Sequence, residues 1–518
     1  MVRGRAPKPV YLYLNDGEVE IRDAGALWGK DNWMTLEGIR EDTGEKMVRV
    51  ASIGPAGERM IPYACVQNDM EHYNGRTGMG AVMGSKQLKA VAARGRKKPQ
   101  MADPEKVKAI RKWHNDRIKV HPPNVGLSKV GTPGLLKGLN DTGILTTHNF
   151  RDGVFAGADR INHEAYHETI FDSAGTCYAC AVHCKRRVSL DDPRYPLDKN
   201  HGGPEYETLA AFGSMCDIDN LPAIARAGQR CNLLGLDTIS TGAVIAFTME
   251  CFEKNILSEA DTGGRMIRFG DADAMLWLIE EIAQQRGIGK ILSQGVKRAA
   301  ELIGRGSERY AFHIKGQELP FHDGRGKTGM GMGYALSPTG ADHVETPHDV
   351  AFQGEAVSKL HPLGIFDPIK PLETNAQKVH YFVEGQKAWQ LNNCYGICNF
   401  CSIPIGAMTF EKLVNTIRAI TGWDTSLHDM LRVSERGTVM ARVFNNREGF
   451  KPEDDRVIRR WHEPMPSGPL KGQFIDPAAF RKAIDLYYEM SGWDSQGRPI
   501  RGKLVELNLE WLVDEGQR

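Results

Sequence analysis

Six of the ten cysteines fall in two tight groups. The first is Cys177-Tyr-Ala-Cys180-Ala-Val-His-Cys184, with CxxCxxxC spacing. Three thiolates on one short loop can wrap one face of an iron–sulfur cluster and leave one iron for a ligand from elsewhere. Four cysteines are the usual set for a [4Fe–4S] cluster. Structural zinc is the alternative, although zinc prefers paired CxxC or Cys/His knuckles. Spacing alone gives three ligands and an unspecified fourth.

The second group is Cys394-Tyr-Gly-Ile-Cys398-Asn-Phe-Cys401. Radical S-adenosylmethionine enzymes use this spacing. Only 117 residues follow Cys401, too few for the barrel such enzymes build. Cys65, Cys216, Cys231 and Cys251 stand alone and read as buried thiols. The glycine-dense stretch Gly75–Gly84 is not a Walker loop, because its glycines and Lys86 do not match GxxxxGK[ST]. Such a turn still lets backbone N–H groups approach phosphates. A tight β-turn needing positive φ explains the same glycines.

These groups must be held by two kinds of element. Residues 1–95 read as β-rich. Val10–Leu14 is an apolar, aromatic run ended by the turn signal Asn15-Asp-Gly17, and Arg49–Ile53 and Leu88–Ala92 read as further strands. Residues 94–101 read as a linker. Asp103-Pro104 then starts a helix with Val107, Ile110 and Trp113 on its buried side. Helices are expected over 222–234, stopping at Gly235, and over 240–256, 274–286, 289–303, 410–420 and 478–490. The expected class is α+β: a partial N-terminal β-sheet domain (1–100) before a large, mostly α-helical two-domain region. Glycine-rich Gly324–Gly333 marks its division into 101–325 and 326–518.

The charge balance is 66 basic to 65 acidic residues, net +1. That argues against a protein built to coat nucleic acid. No stretch approaches the ~20 apolar residues of a membrane helix, and the N-terminus lacks the apolar core of a secretory signal. Clustered cysteines in a chain of 518 residues favour metal binding in a reducing compartment, hence a cytoplasmic location.

Several further segments recur in order: Gly75-Arg76-Thr77-Gly78-Met-Gly80, Pro204-Glu-Tyr-Glu207-Thr208, Asn232-Leu-Leu-Gly235-Leu236-Asp237, Phe444-Asn-Asn-Arg-Glu-Gly-Phe450 and Tyr487-Tyr488 with Gly492-Trp-Asp494. Together they make the chain resemble the aldehyde ferredoxin oxidoreductase family of tungsten, sometimes molybdenum, pterin enzymes. The resemblance implies a [4Fe–4S] cluster on Cys177, Cys180, Cys184 and Cys398. It implies two similar turns, Asn232–Asp237 and Asn393–Cys398 (with Ile397), each holding one pterin of a bis-pterin metal group. Asp237 could accept a bidentate contact from a pterin edge, while helix capping accounts for Gly235 without any ligand.

By the same resemblance Arg76, Thr77 and Gly78 face the pterin phosphates, which Mg2+ could bridge. Glu207 and His343 lie beside the metal as acid–base groups; a surface carboxylate and a satisfied loop histidine are the bland alternatives. His348 shapes the substrate pocket, and Lys185-Arg-Arg187 helps ferredoxin dock, unless the run is only a solvated face. The implied reaction converts an aldehyde and water to a carboxylic acid, with electrons leaving through the cluster to ferredoxin. The expected assembly is a homodimer or heteromer. Two alternatives are reduction of aromatic acyl-thioesters and a non-catalytic subunit that needs another chain.

Three departures from the family pattern stand out. The opening matches an internal strand, so the chain reads as an N-terminally shortened member whose half β-domain exposes an apolar face. Both turns begin with Asn (Asn232, Asn393) where Asp is usual. Thr339 replaces a common Arg, and Glu345 stands where a basic residue is frequent.

Overall fold

The computed structural model describes residues 2–513. An N-terminal six-stranded sheet is followed by a large helical body. Strand β1 (Val10–Asn15) turns back into β2 (Glu18–Asp23). The reversal uses Asp16 (φ 49°) and Gly17 (φ 103°), the positive-φ pair a tight hairpin demands. Then come β3 (Arg49–Ser52), β4 (Val66–Asn68), β5 (His72–Asn74) and β6 (Leu88–Arg94). Their order is β2-β1-β6-β3-β4-β5, with β1 and β6 parallel and the other pairs antiparallel.

Strand alternation separates two faces. Tyr11, Tyr13, Val50, Ala90 and Ala92 pack on Leu36 and Ile39 of the helix Asn32–Thr43, and this core reaches Leu233 of the helical body. The opposite face carries Leu12 and Leu14 of β1, paired with Ile21 and Val19 of β2. Val19 is 61% exposed and Ile21 72%. The expected apolar face is therefore open here.

The helical body begins as expected. Asp103 accepts the Lys106 N–H as N-cap, and Pro104 opens the helix Pro104–Ile118. Ile110 is buried, whereas Val107 and Trp113 are only half-buried. The helix Leu221–Leu234 ends at Gly235, which adopts the left-handed conformation. The stretch expected as one helix over 289–303 divides into Gly289–Leu292 and Gly295–Ile303, with Gly295 at φ +81°.

Gly324–Gly333 is not a surface linker. It leads into the fully buried helix Thr328–Leu336. A Cβ on Gly324 would lie 2.5 Å from the Trp461 ring, and one on Gly333 would lie 2.2 Å from Thr346 Oγ1. These glycines permit close packing inside the main core, which runs unbroken from Phe321 through Met330 and Tyr334 to Phe382 and Tyr487. A smaller core of Phe352, Leu360, Tyr381, Ile403 and Phe410 lies beside it. Among the described residues no helix is long and apolar enough to cross a membrane.

Candidate functional site

The first cysteine group sits on the loop of a hairpin formed by β7 (Phe171–Gly175) and β8 (Lys185–Val188). Ala179 and His183 both take φ 54°, which curls the loop. The hairpin is tied to its neighbours by charge. Arg187 pairs with Glu71 beside β5, and Lys185 Nζ lies 3.1 Å from Glu205 Oε1. Arg186 is buried and donates to the carbonyls of Leu127, Ser128 and His183. The expected basic docking run is therefore not an open patch: two of its charges are neutralised and the third faces inward.

The second cysteine group meets this loop. Cys398 lies close enough to Cys177, Cys180 and Cys184 for its charge to act on each. Cys401 Sγ is 3.9 Å from Cys180 Sγ. Either thiol of that pair can donate to the other. His72 Nε2 reaches across from β5 to within 3.2 Å of Cys177 Sγ. Cys394 is exposed and stands apart. Among the described residues no three Cys, His, Asp or Glu side chains converge at single-ion distances.

Beside the cysteines lies a cavity of about 740 Å³ between the sheet and the helical body. Arg76 and Thr77 line it from the β5 side, and Asn232, Leu236 and Asp237 line it from the first turn. Asn393 reaches it from the second turn, and Glu207 and His343 complete the lining. Thr77 (φ 69°) and Gly78 (φ 71°) make a left-handed turn, and a Cβ on Gly78 would lie 2.2 Å from Pro62 O. Close backbone approach thus accounts for this glycine. Arg76 Nη1 donates to Ala341 O at 2.6 Å, Nη2 to Glu318 O at 2.5 Å and Nε to Asp237 Oδ2 at 3.3 Å. Burial opposes its charge, yet Asp237, Asp342 and Glu318 outweigh that and raise its pKa.

The two turns differ. In the first, Gly235 O accepts from Cys65 N at 2.9 Å, and Asp237 N donates to Tyr63 O at 3.1 Å. Asp237 caps the helix Thr238–Glu253 through Ile239 N at 3.0 Å and Ser240 N at 3.3 Å, and also accepts from Ser240 Oγ at 2.8 Å. Three donors, Arg76 among them, converge on Oδ2, whereas Oδ1 accepts only from Ile239 N and keeps a lone pair for a further donor. In the second turn Gly396 closes the helix Ala376–Tyr395, and Ile397 N donates to Asn392 O at 2.8 Å. Asn393 and Cys398 are exposed.

Glu207 lies in the first turn of the helix Tyr206–Phe212. Its Oε2 accepts from Phe321 N at 2.9 Å. Its Oε1 is 3.2 Å from His322 Nε2 and 3.7 Å from His343 Nε2. Neither ring is aligned to donate, so this buried oxygen has no hydrogen-bond partner, and neither has His343 Nδ1. His348 Nε2 lies 3.1 Å from His343 O. The His322 ring packs 5.6 Å from His343 and 4.8 Å from His348, centroid to centroid. Burial, then Lys327, holds both His322 and His348 well below the ordinary histidine pKa. Lys327 Nζ is 3.3 Å from His322 Nδ1.

His322 and Lys327 were not among the residues expected at the site. Lys327 lies inside the glycine-rich stretch Gly324–Gly333 that reads as a boundary, and His322 lies two residues before it. Near the mouth, Glu345 accepts from Gln390 Nε2 at 2.6 Å, and burial raises its pKa. Thr339 Oγ1 is 3.1 Å from Ser337 Oγ. A bis-pterin metal group fits this site. The cavity is flanked by both turns and the Arg76 loop, and an unpartnered buried carboxylate oxygen stands beside it.

Residues 1–95 match the aldehyde ferredoxin oxidoreductase N-terminal domain, and residues 109–509 match domains 2 and 3. A tungsten-containing aldehyde ferredoxin oxidoreductase of Pyrococcus abyssi is 36% identical over 519 residues, covering 99% of this chain and 82% of its own length. The aliphatic sulfonate oxidoreductase WOR-like subunit of Pyrococcus furiosus is 28% identical, with 98% and 80% covered. Among solved structures, the BamBC active-site complex of benzoyl coenzyme A reductase with 1,5-dienoyl-CoA is similar with a TM-score of 0.81 and 25% identity, covering 98% of this chain and 81% of that one. On the strength of both domain matches and this identity over nearly its full length, the chain belongs to the aldehyde ferredoxin oxidoreductase family of oxidoreductases.

Proposed function

We propose that this oxidoreductase converts an aldehyde and water to a carboxylic acid and passes the electrons to ferredoxin. The observation that carries the reading is Glu207 Oε1: buried, unpartnered and set between two imidazoles beside the cavity. Glu207 would take a proton from water as the water attacks the carbonyl carbon, and His343 would donate a hydrogen bond to the carbonyl oxygen. Phe321 N holds the other carboxylate oxygen and so fixes the direction in which Oε1 points.

The residues that would hold a tungsten bis-pterin are Arg76, Thr77 and Gly78 at the phosphates, with Mg2+ between them, and the turns Asn232–Asp237 and Asn393–Ile397. That group, when bound, supplies the two-electron acceptor. Cys177, Cys180, Cys184 and Cys398 would hold a [4Fe–4S] cluster. The family resemblance supports Cys398 as the fourth ligand, and Cys401, whose Sγ is 3.9 Å from Cys180 Sγ, is its rival.

The test is aldehyde-dependent dye reduction by native protein together with metal analysis. Tungsten, iron and turnover are expected, and Glu207→Gln should lower turnover by ~10²-fold or more. Iron without tungsten or molybdenum, and no aldehyde-dependent reduction, would sink the reading. A second reading, reduction of an aromatic acyl-thioester, draws on Glu345 in the cavity lining and on the likeness to the dienoyl-CoA complex. Assaying acyl-CoA reduction against aldehyde oxidation on one sample separates the two.

A further inference from the structure

One contact to the cysteine loop comes from outside it. His72 Nε2 lies 3.2 Å from Cys177 Sγ. His72 opens β5, the last strand of the six-stranded sheet, and pairs there with Asn68 of β4. Its two neighbours are engaged elsewhere. Arg187 Nη2 of β8 donates to Glu71 Oε2 at 3.2 Å, and Tyr73 OH donates to Met70 O at 3.0 Å. The Glu71–Arg187 pair holds the cysteine hairpin against this strand. Successive strand residues point to opposite sides, so His72 faces the hairpin while Tyr73 lines the cavity. Arg76 follows in the same segment and lines the cavity too.

We propose that His72 donates a hydrogen bond from Nε2 to Cys177 and thereby raises the reduction potential of the cluster that Cys177 helps to hold. The proposal rests on the reading of Cys177 as a cluster ligand. A cysteine bound to iron is a thiolate, with no proton to give, so it can only accept. The contact therefore requires the N–H on Nε2 once the ligand is in place. Such a bond draws charge from the sulfur. It is stronger to the reduced cluster, which carries one more negative charge, and so it favours reduction.

The surroundings leave this role to His72. Lys185 brings a positive charge toward Cys177, but Glu205 pairs with it at 3.1 Å and offsets it. Cys180 Sγ accepts from Val182 N at 3.5 Å, a donor on its own loop. His72 is anchored in the sheet instead, so its bond also ties the cysteine loop to the segment that carries Arg76. His72 acts through Cys177 and touches no substrate, which makes it a positioning residue. By raising the potential it favours arrival of electrons at the cluster over their departure.

The experiment compares His72→Leu with His72→Gln in the holoenzyme, reading the cluster's midpoint potential by EPR-monitored redox titration and the iron content of each variant. Glutamine keeps an N–H donor, and leucine has none. In His72→Leu the ratio of reduced to oxidised cluster at a fixed poise should fall ~10-fold, a shift of about 59 mV to more negative potential for one electron. His72→Gln should stay near wild type. An unchanged potential in iron-replete His72→Leu overturns the proposal, and so does an equal shift in both variants. Iron loss confined to His72→Leu supports it, since outer partners of a ligand also hold the metal. Should both variants lose iron, pulsed EPR of wild type labelled with 15N-histidine decides. The reduced cluster must show a 15N coupling that persists in His183→Ala, because exposed His183 adjoins Cys184; no coupling, or its loss in that variant, overturns the proposal. Wild type without a cluster signal, or Cys177→Ala with iron and spectrum unchanged, sinks the ligand reading itself. A normal cluster indifferent to His72→Leu removes only the role of His72.

Discussion

The turns Asn232–Asp237 and Asn393–Cys398 share a shape but differ in what surrounds them. Each follows a long helix closed by a left-handed glycine, Gly235 or Gly396. The first is locked to the sheet through Gly235 O, Asp237 N and Arg76, and its polar groups serve the protein. The second exposes Asn393, Cys394 and Cys398. One local motif is thus tied into the fold in one place and left open in the other, because the two turns differ in burial.

The largest expected contrast concerns that last side chain. Cys398→Ser should strip the protein of most of its iron, from about four atoms per chain, whereas Cys401→Ser should leave iron content near wild type. Equal iron loss in both would move the fourth ligand into doubt. Asp237→Ala should act on stability instead. It removes a helix cap and leaves buried Arg76 unpaired, at a cost of about 3 kcal/mol by chemical denaturation. A smaller loss than from Asn393→Ala would break the comparison.

The glycines sharpen it further. A Cβ at Gly235 (φ +77°) would lie 2.8 Å from Gly54 N, while one at Gly396 (φ +65°) meets nothing within 4 Å. Gly235→Ala should cost about 3 kcal/mol and Gly396→Ala about 1 kcal/mol, read as a difference in denaturation midpoint. The smallest contrast is at the leading asparagines. Asn232 Nδ2 donates to His201 O at 2.8 Å, so Asn232→Ala should cost about 1 kcal/mol. The exposed Asn393→Ala should fall within about 0.5 kcal/mol of wild type.

What could be read from residues alone divides along the same line. The hairpin at Asn15-Asp-Gly17, the cap at Asp103 and the stop at Gly235 are local signals, and each appears where its chemistry places it. The helices Ala376–Tyr395 and Leu427–Arg447 carry caps of the same kind, Asn375 and Gly396 on the first and Ser426 with Asp429 on the second, but their apolar pattern does not announce them. Their buried positions include Lys378, Gln386 and Asn392 in one and Ser434, Arg442 and Asn445 in the other, so polar residues interrupt the apolar period. Those residues are satisfied only by distant partners, as Lys378 is by Asp349 and Arg442 by Asp455.

The site shows the same division. The CxxCxxxC loop is visible in its spacing, but the approach of Cys398 depends on a fold that spacing does not encode. Glu207 and His343 are isolated residues until the fold places them 3.7 Å apart. His322 and Lys327 stayed hidden because glycine reads as flexibility, whereas here Gly324 and Gly333 exist to let Trp461 and Thr346 close in.

The distance along the chain between the β7–β8 loop and Cys398 has a further consequence. A cluster bound by both would close a loop of about 200 residues, and on the chain-entropy account of cross-links such a closure removes about 5 kcal/mol of freedom from the unfolded chain. The same inorganic group that carries electrons would then act as a fastener between the cluster hairpin and the second turn. Oxygen damage to it would then lower the melting temperature and the turnover together.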